Sequence, residues 1–217
     1  MNADGQKLVV RCMSMSLDGF GAGLNQRLDA PFGDGTEHLN DWFFATRTGA
    51  ALLGRDGGED SEDDKFLAAA FDGIGATIIG RNMFTTSRGA WVDDGWTGWW
   101  GPNPPYHHDT FVLTHYPRPS LPMEGGTTFR FSTDGLEPTL QRAFAAADGR
   151  DVRVIGGVTT VREYLRAGLV DELHLVMAPV LVGAGERVLD HPDIAARYEC
   201  TDRVATPAVT HLFFRPR

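Results

Sequence analysis

The hydrophobic pattern of this chain switches between two periods. Short apolar runs, most of them closed by glycine, alternate with stretches in which apolar positions recur every three or four residues. The first pattern reads as strand and the second as amphipathic helix. The switch is clearest between Val152 and Leu189. A run from Val152 to Ile155 ends in Gly156-Gly157, and a helical pattern then sets Val161, Tyr164 and Leu165 on one face. A second run, Leu173 to Leu181, leads into Gly183 and Gly185. Strand, glycine turn, helix, strand predicts a βαβ unit. In an open α/β sheet, a glycine turn that leaves a strand's C-terminal end and opens a helix is the usual seat of a phosphate or dinucleotide.

The rest of the chain follows the same grammar. Leu8 to Ser16 alternates as a strand and is followed by a glycine-bearing loop. Thr36 to Arg47 is helical in pattern, with Leu39, Trp42, Phe43 and Thr46 on one face, Thr36 as cap and Gly49 as stop. Ala50 to Leu53 reads as a short strand. The acidic stretch 55–64 reads as a solvated loop whose charge favours the N-terminus of a helix from Lys65 to Phe71. Ala76 to Ile79 is a strand that ends at Gly80-Arg81-Asn82, where a short helix is expected to start. Thr110 to Leu113 and Thr127 to Phe131 are further strands. Asp134 with Glu137, and Thr160 with Glu163, have capping-box spacing, the first opening a helix from Leu136 to Ala147. Gly168 is expected as a C-terminal cap. Tyr198 to Arg215 reads as two strands around Thr206-Pro207, an antiparallel hairpin at the sheet edge. The sum is one α/β domain over residues 1–217, mostly parallel with an antiparallel end.

Composition narrows the function. The chain has 217 residues, 42% of them hydrophobic, enough for a substantial core. Its net charge is −9, with no basic stripe, so no nucleic-acid partner is expected. An anionic cofactor therefore needs local basic groups. The two cysteines, Cys12 and Cys200, form no CxxC, and the histidines have no zinc spacing, so no metal is expected and a reduced, cytoplasmic setting is. Leu8 to Leu17 is interrupted by Arg11 and two serines, which argues against a signal peptide or a membrane span. Trp91 to His108 is the odd segment. It holds four of the five tryptophans, and Pro102, Pro104 and Pro105 forbid a regular helix there. A loop of that length and aromatic content has either a ligand or a packing partner to serve.

Three short motifs then line up: Ser16-Leu17-Asp18-Gly19 after the first strand, Gly80-Arg81-x-x-Phe84 after a middle strand, and Ile155-Gly156-Gly157 before the anchor helix. Together with Asp171-Glu172-Leu173 and Pro179-Val180-Leu181-Val182-Gly183, they make the chain resemble the dihydrofolate reductase-like superfamily. Within it, the chain is similar to the reductase domain of the bacterial riboflavin-biosynthesis deaminase-reductase and its stand-alone relatives, from about Leu8 to Phe214. The Cys/His pattern of a zinc deaminase is missing. The resemblance implies an open, mostly parallel sheet of eight to nine strands with helices on both faces and a C-terminal antiparallel hairpin. It also implies NADPH as hydride donor, a small-molecule substrate and a homodimer. The apolar run Leu173 to Leu181 and the C-terminal strands are candidates for the two-fold interface.

Each motif has a chemical and a bland reading. Gly156-Gly157 lets backbone approach a pyrophosphate, or is only a tight turn. In the family, Val158 and Thr159 lie beside the phosphates. Arg81, opening a helix beside Gly80 and Asn82, can aim a guanidinium and a helix N-terminus at a phosphate. The family places the adenosine end of NADPH there, and a small hydroxyl residue such as Thr114 against the 2′-phosphate or ribose. His115 adds charge if protonated, and Arg118 is near in sequence. The resemblance runs the strand carrying Ser14 and Ser16 under the nicotinamide and folds the glycine loop over it. Asp18 and Ser16 are the candidate catalytic residues and Gly19 a cofactor contact. Asp-Gly can equally be a simple turn. Glu37 and Asp41 lie four apart, on one face if the segment is helical, as either a substrate carboxylate pair or a solvated face. Trp96, Trp100 and Tyr106 either stack on a flat heterocycle or pack on the core.

Overall fold

The computed structural model describes residues 5–92 and 95–217. Asp93 and Asp94 of the tryptophan-rich loop lie outside the described residues. The strands are β1 (Leu8–Ser16), β2 (Phe20–Gly23), β3 (Ile74–Gly80), β4 (Asp109–Leu113), β5 (Leu121–Pro122), β6 (Thr128–Ser132), β7 (Asp151–Gly156), β8 (Glu172–Ala178), β9 (Gly185–Arg187), β10 (Tyr198–Ala205) and β11 (Thr210–Pro216). The helices are α1 (Asp41–Ala45), α2 (Arg47–Leu52), α3 (Glu62–Ala69), α4 (Leu136–Ala146), α5 (Val158–Arg166) and α6 (Pro192–Arg197). Nine strands hydrogen-bond in the order β10-β11-β8-β1-β7-β3-β4-β6-β5, and β2 pairs with β9 in a separate ribbon. The chain packs as two compact units. Unit 1 is Met1–Val9 with Gly73–Asp171, and unit 2 is Val10–Asp72 with Glu172–Arg217.

Unit 1 is a parallel βα assembly. β7 pairs in parallel with β1 and β3, β3 with β4, and β4 with β6. Every residue of β3 is buried, which is why its sequence, IGATIIG, is a continuous run with no alternation. α4 lies against β3, β4 and β7, and α5 against β7 and β3. Val161, Tyr164 and Leu165, the predicted inner face of α5, are completely buried. Burying each such side chain contributes roughly 1.5–3 kcal/mol. A second cluster joins Ile79, Phe84, Tyr106, Val112 and Phe129, with Trp91, Trp96 and Trp100 packed onto it.

Unit 2 is antiparallel where it is regular. β11 pairs with β8 and β10, the predicted hairpin, with an irregularity between Cys200 and Asp202. Its core gathers Leu39, Trp42, Leu67, Val176, Ala178 and Val209. Leu173, Leu175 and Val176 are fully buried within the chain. The apolar run Leu173 to Leu181 is thus core over β8 and is not free to form a subunit interface there.

Several local expectations fail for identifiable reasons. The helix expected over Thr36 to Arg47 is a series of turns followed by α1, and Thr46 leaves the helix in an extended conformation. Ala50 to Leu53, expected as a strand, lies in and just after α2, which Thr46 caps by accepting from Gly49 N–H. Gly49 is therefore buried in a helix and stops none. Neither capping box forms. Gly135 is the N-cap of α4 with no side-chain bond, and Asp134 pairs with Arg142 at 2.6 Å instead. α5 starts two residues before Thr160, after Gly157, and Glu163 pairs with Arg166. Ser61 does cap α3, accepting from Asp64 N–H at 3.2 Å, with three acidic residues in the first turn. Gly168 closes α5 at φ +71°, as expected. Among the described residues, no helix is long and apolar enough to cross a membrane, and no group of three or more His, Cys, Asp or Glu side chains is placed to hold a metal ion.

Candidate active site

In unit 1 two of the sequence motifs meet. β3 ends at Gly80 and β7 at Gly156, parallel neighbours whose registers converge at Ile79 and Gly156. A Cβ on Gly80 would fall on Thr160 Oγ1 and stand 3.3 Å from Gly157 N. Only glycine lets the β3 end approach the start of α5 this closely. Gly156, at φ +149°, faces Met83, where a Cβ would stand 3.1 Å from the thioether. The Gly156–Gly157 peptide is cis. Val158 is buried and Thr159 exposed at the first turn of α5. With Asn82 as its nearest neighbour at 3.9 Å from a hypothetical Cβ, Gly157 offers bare backbone to a ligand.

Arg81 stands beside this turn in an electrostatically unusual setting. The expected helix is only a 3₁₀ turn, Arg81–Met83. Its short dipole supplies little, and the guanidinium carries the charge. The Arg81 guanidinium stacks 3.9 Å from the Trp91 ring centroid and lies 5.5 Å from that of Tyr116. Arg118 lies 5.0 Å from the Trp91 ring. Each arginine in this group donates to a carbonyl: Arg81 Nη1 to Gly89 O, Arg88 Nη1 to Thr86 O and Arg118 Nη2 to Trp96 O. None has a carboxylate partner among the described residues. Partial burial lowers the Arg81 pKa, and the like charges of Arg88 and Arg118 lower it further. Arg81 Nε and Nη2 are buried and make no hydrogen bond among the described residues. Buried donors are ordinarily satisfied, and these two nitrogens have no acceptor among the described residues.

Thr114, at the end of β4, closes a local turn: its hydroxyl accepts from Tyr116 N–H at 3.2 Å and sets the ring that Arg81 approaches. His115 is exposed. Sequence reasoning missed Trp91 and Tyr116 as the surfaces that orient the arginines. The only signal for them was aromatic content near a basic motif. Trp96, Trp100 and Tyr106, the candidate stacking residues, pack on the unit 1 core. Trp96 Nε1 donates to Phe84 O at 2.6 Å, and burial pushes the Tyr106 phenol up to about 12. Nearby, His108 Nε2 meets Thr77 Oγ1 at 2.7 Å, and burial, reinforced by Arg150 and His107, holds its pKa down to about 4.

Unit 2 holds the other motif, and here the Ser16 and Asp18 side chains are both hydrogen-bonded. Asp18 accepts from Ser16 Oγ–H at 2.5 Å, Val182 N–H at 3.1 Å and Gly183 N–H at 2.8 Å. These bonds hold its pKa down to about 2, Ser16 contributing most. Ser16 is fully buried and its oxygen also accepts from Phe20 N–H at 2.9 Å. Arg187 donates to Asp18 O at 2.6 Å and stacks on Phe20. Gly19 makes the turn at φ +89°. The loop is thus fastened to the Pro179–Gly183 segment, which joins two of the sequence strings. In this geometry Asp18 and Ser16, the expected catalytic residues, hold the loop in place. Such an Asp18 is an anion across ordinary pH and holds no proton to give. Two residues before Ser16 on β1, Ser14 Oγ accepts from Trp42 Nε1 at 3.0 Å. Glu37 is exposed in a turn, not on a helix with Asp41, and Asp41 is exposed and paired with His38 at 2.8 Å. Both are solvated carboxylates.

Comparison with solved structures places this arrangement. The chain superposes on a protein assigned to riboflavin biosynthesis from Shewanella sp. PV-4 with a TM-score of 0.62 and 17% identity, over 98% of this chain and 99% of that one. It matches dihydrofolate reductase from Enterococcus faecalis, complexed with NADP(H) and RAB-propyl, with a TM-score of 0.53 and 16% identity over 99% and 98%. A third match is a diaminohydroxyphosphoribosylaminopyrimidine deaminase/5-amino-6-(5-phosphoribosylamino)uracil reductase from Thermotoga maritima, with a TM-score of 0.55 and 13% identity, over 98% of this chain and 57% of that one. No curated protein matches at a significant level. At these identities the structures speak for the fold, which is dihydrofolate reductase-like. The family rests on the sequence itself: the model of the RibD C-terminal domain matches residues 7–212. That match covers nearly the whole chain, and the chain belongs to the RibD C-terminal domain family, a reductase-type domain.

Proposed function

We propose that this chain is an NADPH-dependent reductase that transfers a hydride to a C=N or C=O bond of a flat, pyrimidine- or pterin-like heterocycle. One observation carries the reading. In a chain of net charge −9, Arg81, Arg88 and Arg118 gather without carboxylate partners among the described residues, and two buried nitrogens of Arg81 await an acceptor. Such a site suits a phosphate monoester, the group that separates NADPH from NADH. Arg81 and Arg118 would hold that phosphate, and Gly156, Gly157 and the first amides of α5 would take the pyrophosphate. When bound, the cofactor supplies the hydride from its nicotinamide. The chain contributes binding and orientation. Two relatives lend support by fold: one is a dihydrofolate reductase complexed with NADP(H), another a uracil-type reductase.

A second reading has its own observation. Asp18 and Ser16 are fully engaged with the loop, as they would be in a nucleotide-binding protein that had given up turnover. The test is to mix the chain with NADPH and a panel of aminopyrimidines and pterins and follow the near-ultraviolet nicotinamide absorbance. Substrate-dependent loss of absorbance supports the reductase. Binding of NADPH with no turnover on any member supports the second reading. The same proposal takes the active form as a homodimer, supported by the exposed Leu17, Leu24, Leu28 and Leu181 of unit 2. A monomer in sedimentation at roughly micromolar concentration contradicts that part.

A further inference from the structure

Unit 2 contains a second set of chemically connected side chains, separate from the clamped loop. Asp63 in the first turn of α3, His211 on β11 and His174 on β8 are buried, exposing 7%, 0% and 6% of their surface. His211 Nε2 lies 2.9 Å from Asp63 Oδ1, and His174 Nε2 lies 2.8 Å from His211 Nδ1. His174 Nδ1 then lies 3.6 Å from Cys12 Sγ. The direction of this chain follows from its anchor. The Asp63 carboxylate only accepts, so His211 Nε2–H donates to it. In a neutral ring that leaves His211 Nδ1 as acceptor, so His174 Nε2–H donates to it. His174 Nδ1 is left with a lone pair aimed at the thiol. The arrangement is nucleophile, base and orienting carboxylate, lengthened by one imidazole.

Aromatic rings flank the histidine pair. The His174 ring stacks on Phe213 at 4.3 Å between centroids, and His211 lies 4.3 Å from Phe66. Aromatic faces attract a cation, and Asp63 supplies the opposite charge at the far end. Phe66 O also lies 3.5 Å from Cys12 Sγ; it can accept the thiol hydrogen but cannot remove it, whereas the imidazole can. Cys12 is half-buried at φ +58° within β1, a left-handed conformation uncommon for a non-glycine residue and frequent at functional positions.

We propose that Cys12 is a resting thiolate, its proton held by His174, and that it is a modification site for small hydroperoxides. The thiolate sulfur attacks one peroxide oxygen, the S–O bond forms and the O–O bond breaks. Sulfur is oxidised by two electrons to a sulfenic acid and the peroxide is reduced. The departing oxide takes the proton from His174 and leaves as water or alcohol, and His174 returns to its neutral tautomer. Hydroperoxide fits because this reaction needs both a thiolate and an acid beside it, and the pair Cys12–His174 is both.

The exposed Cys200 is a built-in reference. An ordinary thiol is only a few per cent ionised at about pH 7. The difference in ultraviolet thiolate absorbance between wild type and Cys12→Ser, which does not depend on reagent access, is expected to show one thiolate at about pH 7. Hydrogen peroxide with dimedone is expected to label Cys12 roughly tenfold faster than Cys200, and Asp63→Asn to slow the labelling of Cys12 but not of Cys200. Absence of the thiolate absorbance at Cys12, or of the dimedone adduct there, overturns the proposal.

Discussion

The arginine cluster of unit 1 and the Asp18 loop of unit 2 are built in opposite ways. Asp18 takes three hydrogen bonds from the chain, and its partner Ser16 both donates to it and accepts from Phe20 N–H. Arg81 is left with buried donors unused and with like charges for neighbours. The first arrangement stabilises the fold through its own closed network. The second costs stability, because a partly desolvated cation has no counter-ion among the described residues, and a bound anion would offset that cost. Satisfied polar groups near a motif mark scaffold, and unsatisfied ones mark the ligand.

Substitutions should separate the two regions. The largest effect is expected for Gly80→Val, which drives a side chain into Thr160 and parts the β3 end from α5. It should cost about 1–3 kcal/mol in urea unfolding and abolish nucleotide binding. Arg81→Ala should lower NADPH affinity by roughly ten- to a hundredfold, the loss of a charge-assisted bond, while leaving the melting temperature unchanged or slightly raised. A clear drop in melting temperature would put Arg81 with the scaffold. Asp18→Asn should do the reverse: lower the melting temperature, with nucleotide affinity little changed.

The two regions also differ in acid. The folded pKa of Asp18, about 2, lies below the ordinary 3.8. Its stabilisation is therefore full above about pH 4 and is lost as pH falls toward 2. The folded pKa of His108, about 4, lies below the ordinary 6.5. The unfolded chain binds more protons between those values, so this contribution fades earlier, from about pH 6.5 down to 4. Unfolding curves against pH should lose the lower component in Asp18→Asn and the upper one in His108→Gln. The smallest effect is expected for Trp91→Phe, which keeps a ring under Arg81 and should change NADPH affinity less than about threefold. Trp91→Ala should change it more.

How much of this was legible in the chain depended on whether contacts were local. The glycine motifs, β3, β7, α5 and the C-terminal hairpin were readable because each is set by its own residues: continuous burial in β3, one apolar face in α5. The Asp18 clamp was half readable. Ser16-Leu17-Asp18-Gly19 and Pro179–Gly183 stood out as strings, but the bonds between them span some 164 residues. The break between α1 and α2 was not readable. Glu59 N–H donates to Ala45 O and Glu59 O accepts from Arg47 N–H, so the acidic loop splits the helix from outside. Ala50 to Leu53 is a short apolar run, and periodicity alone cannot tell such a run in a strand from one in a buried helix. The arginine–aromatic cluster draws on residues 81, 88, 91, 116 and 118, and nothing in their spacing announces it.

The most direct test of the account is a paired titration of NADPH and NADH into wild type and Arg81→Ala, followed by tryptophan fluorescence, which Trp91 should report. Wild type is expected to bind NADPH at roughly micromolar concentration, at least tenfold more tightly than NADH, and Arg81→Ala to bind both weakly and near-equally. Equal affinity for the two nucleotides in the wild type, or an NADPH preference that survives the substitution, would contradict it.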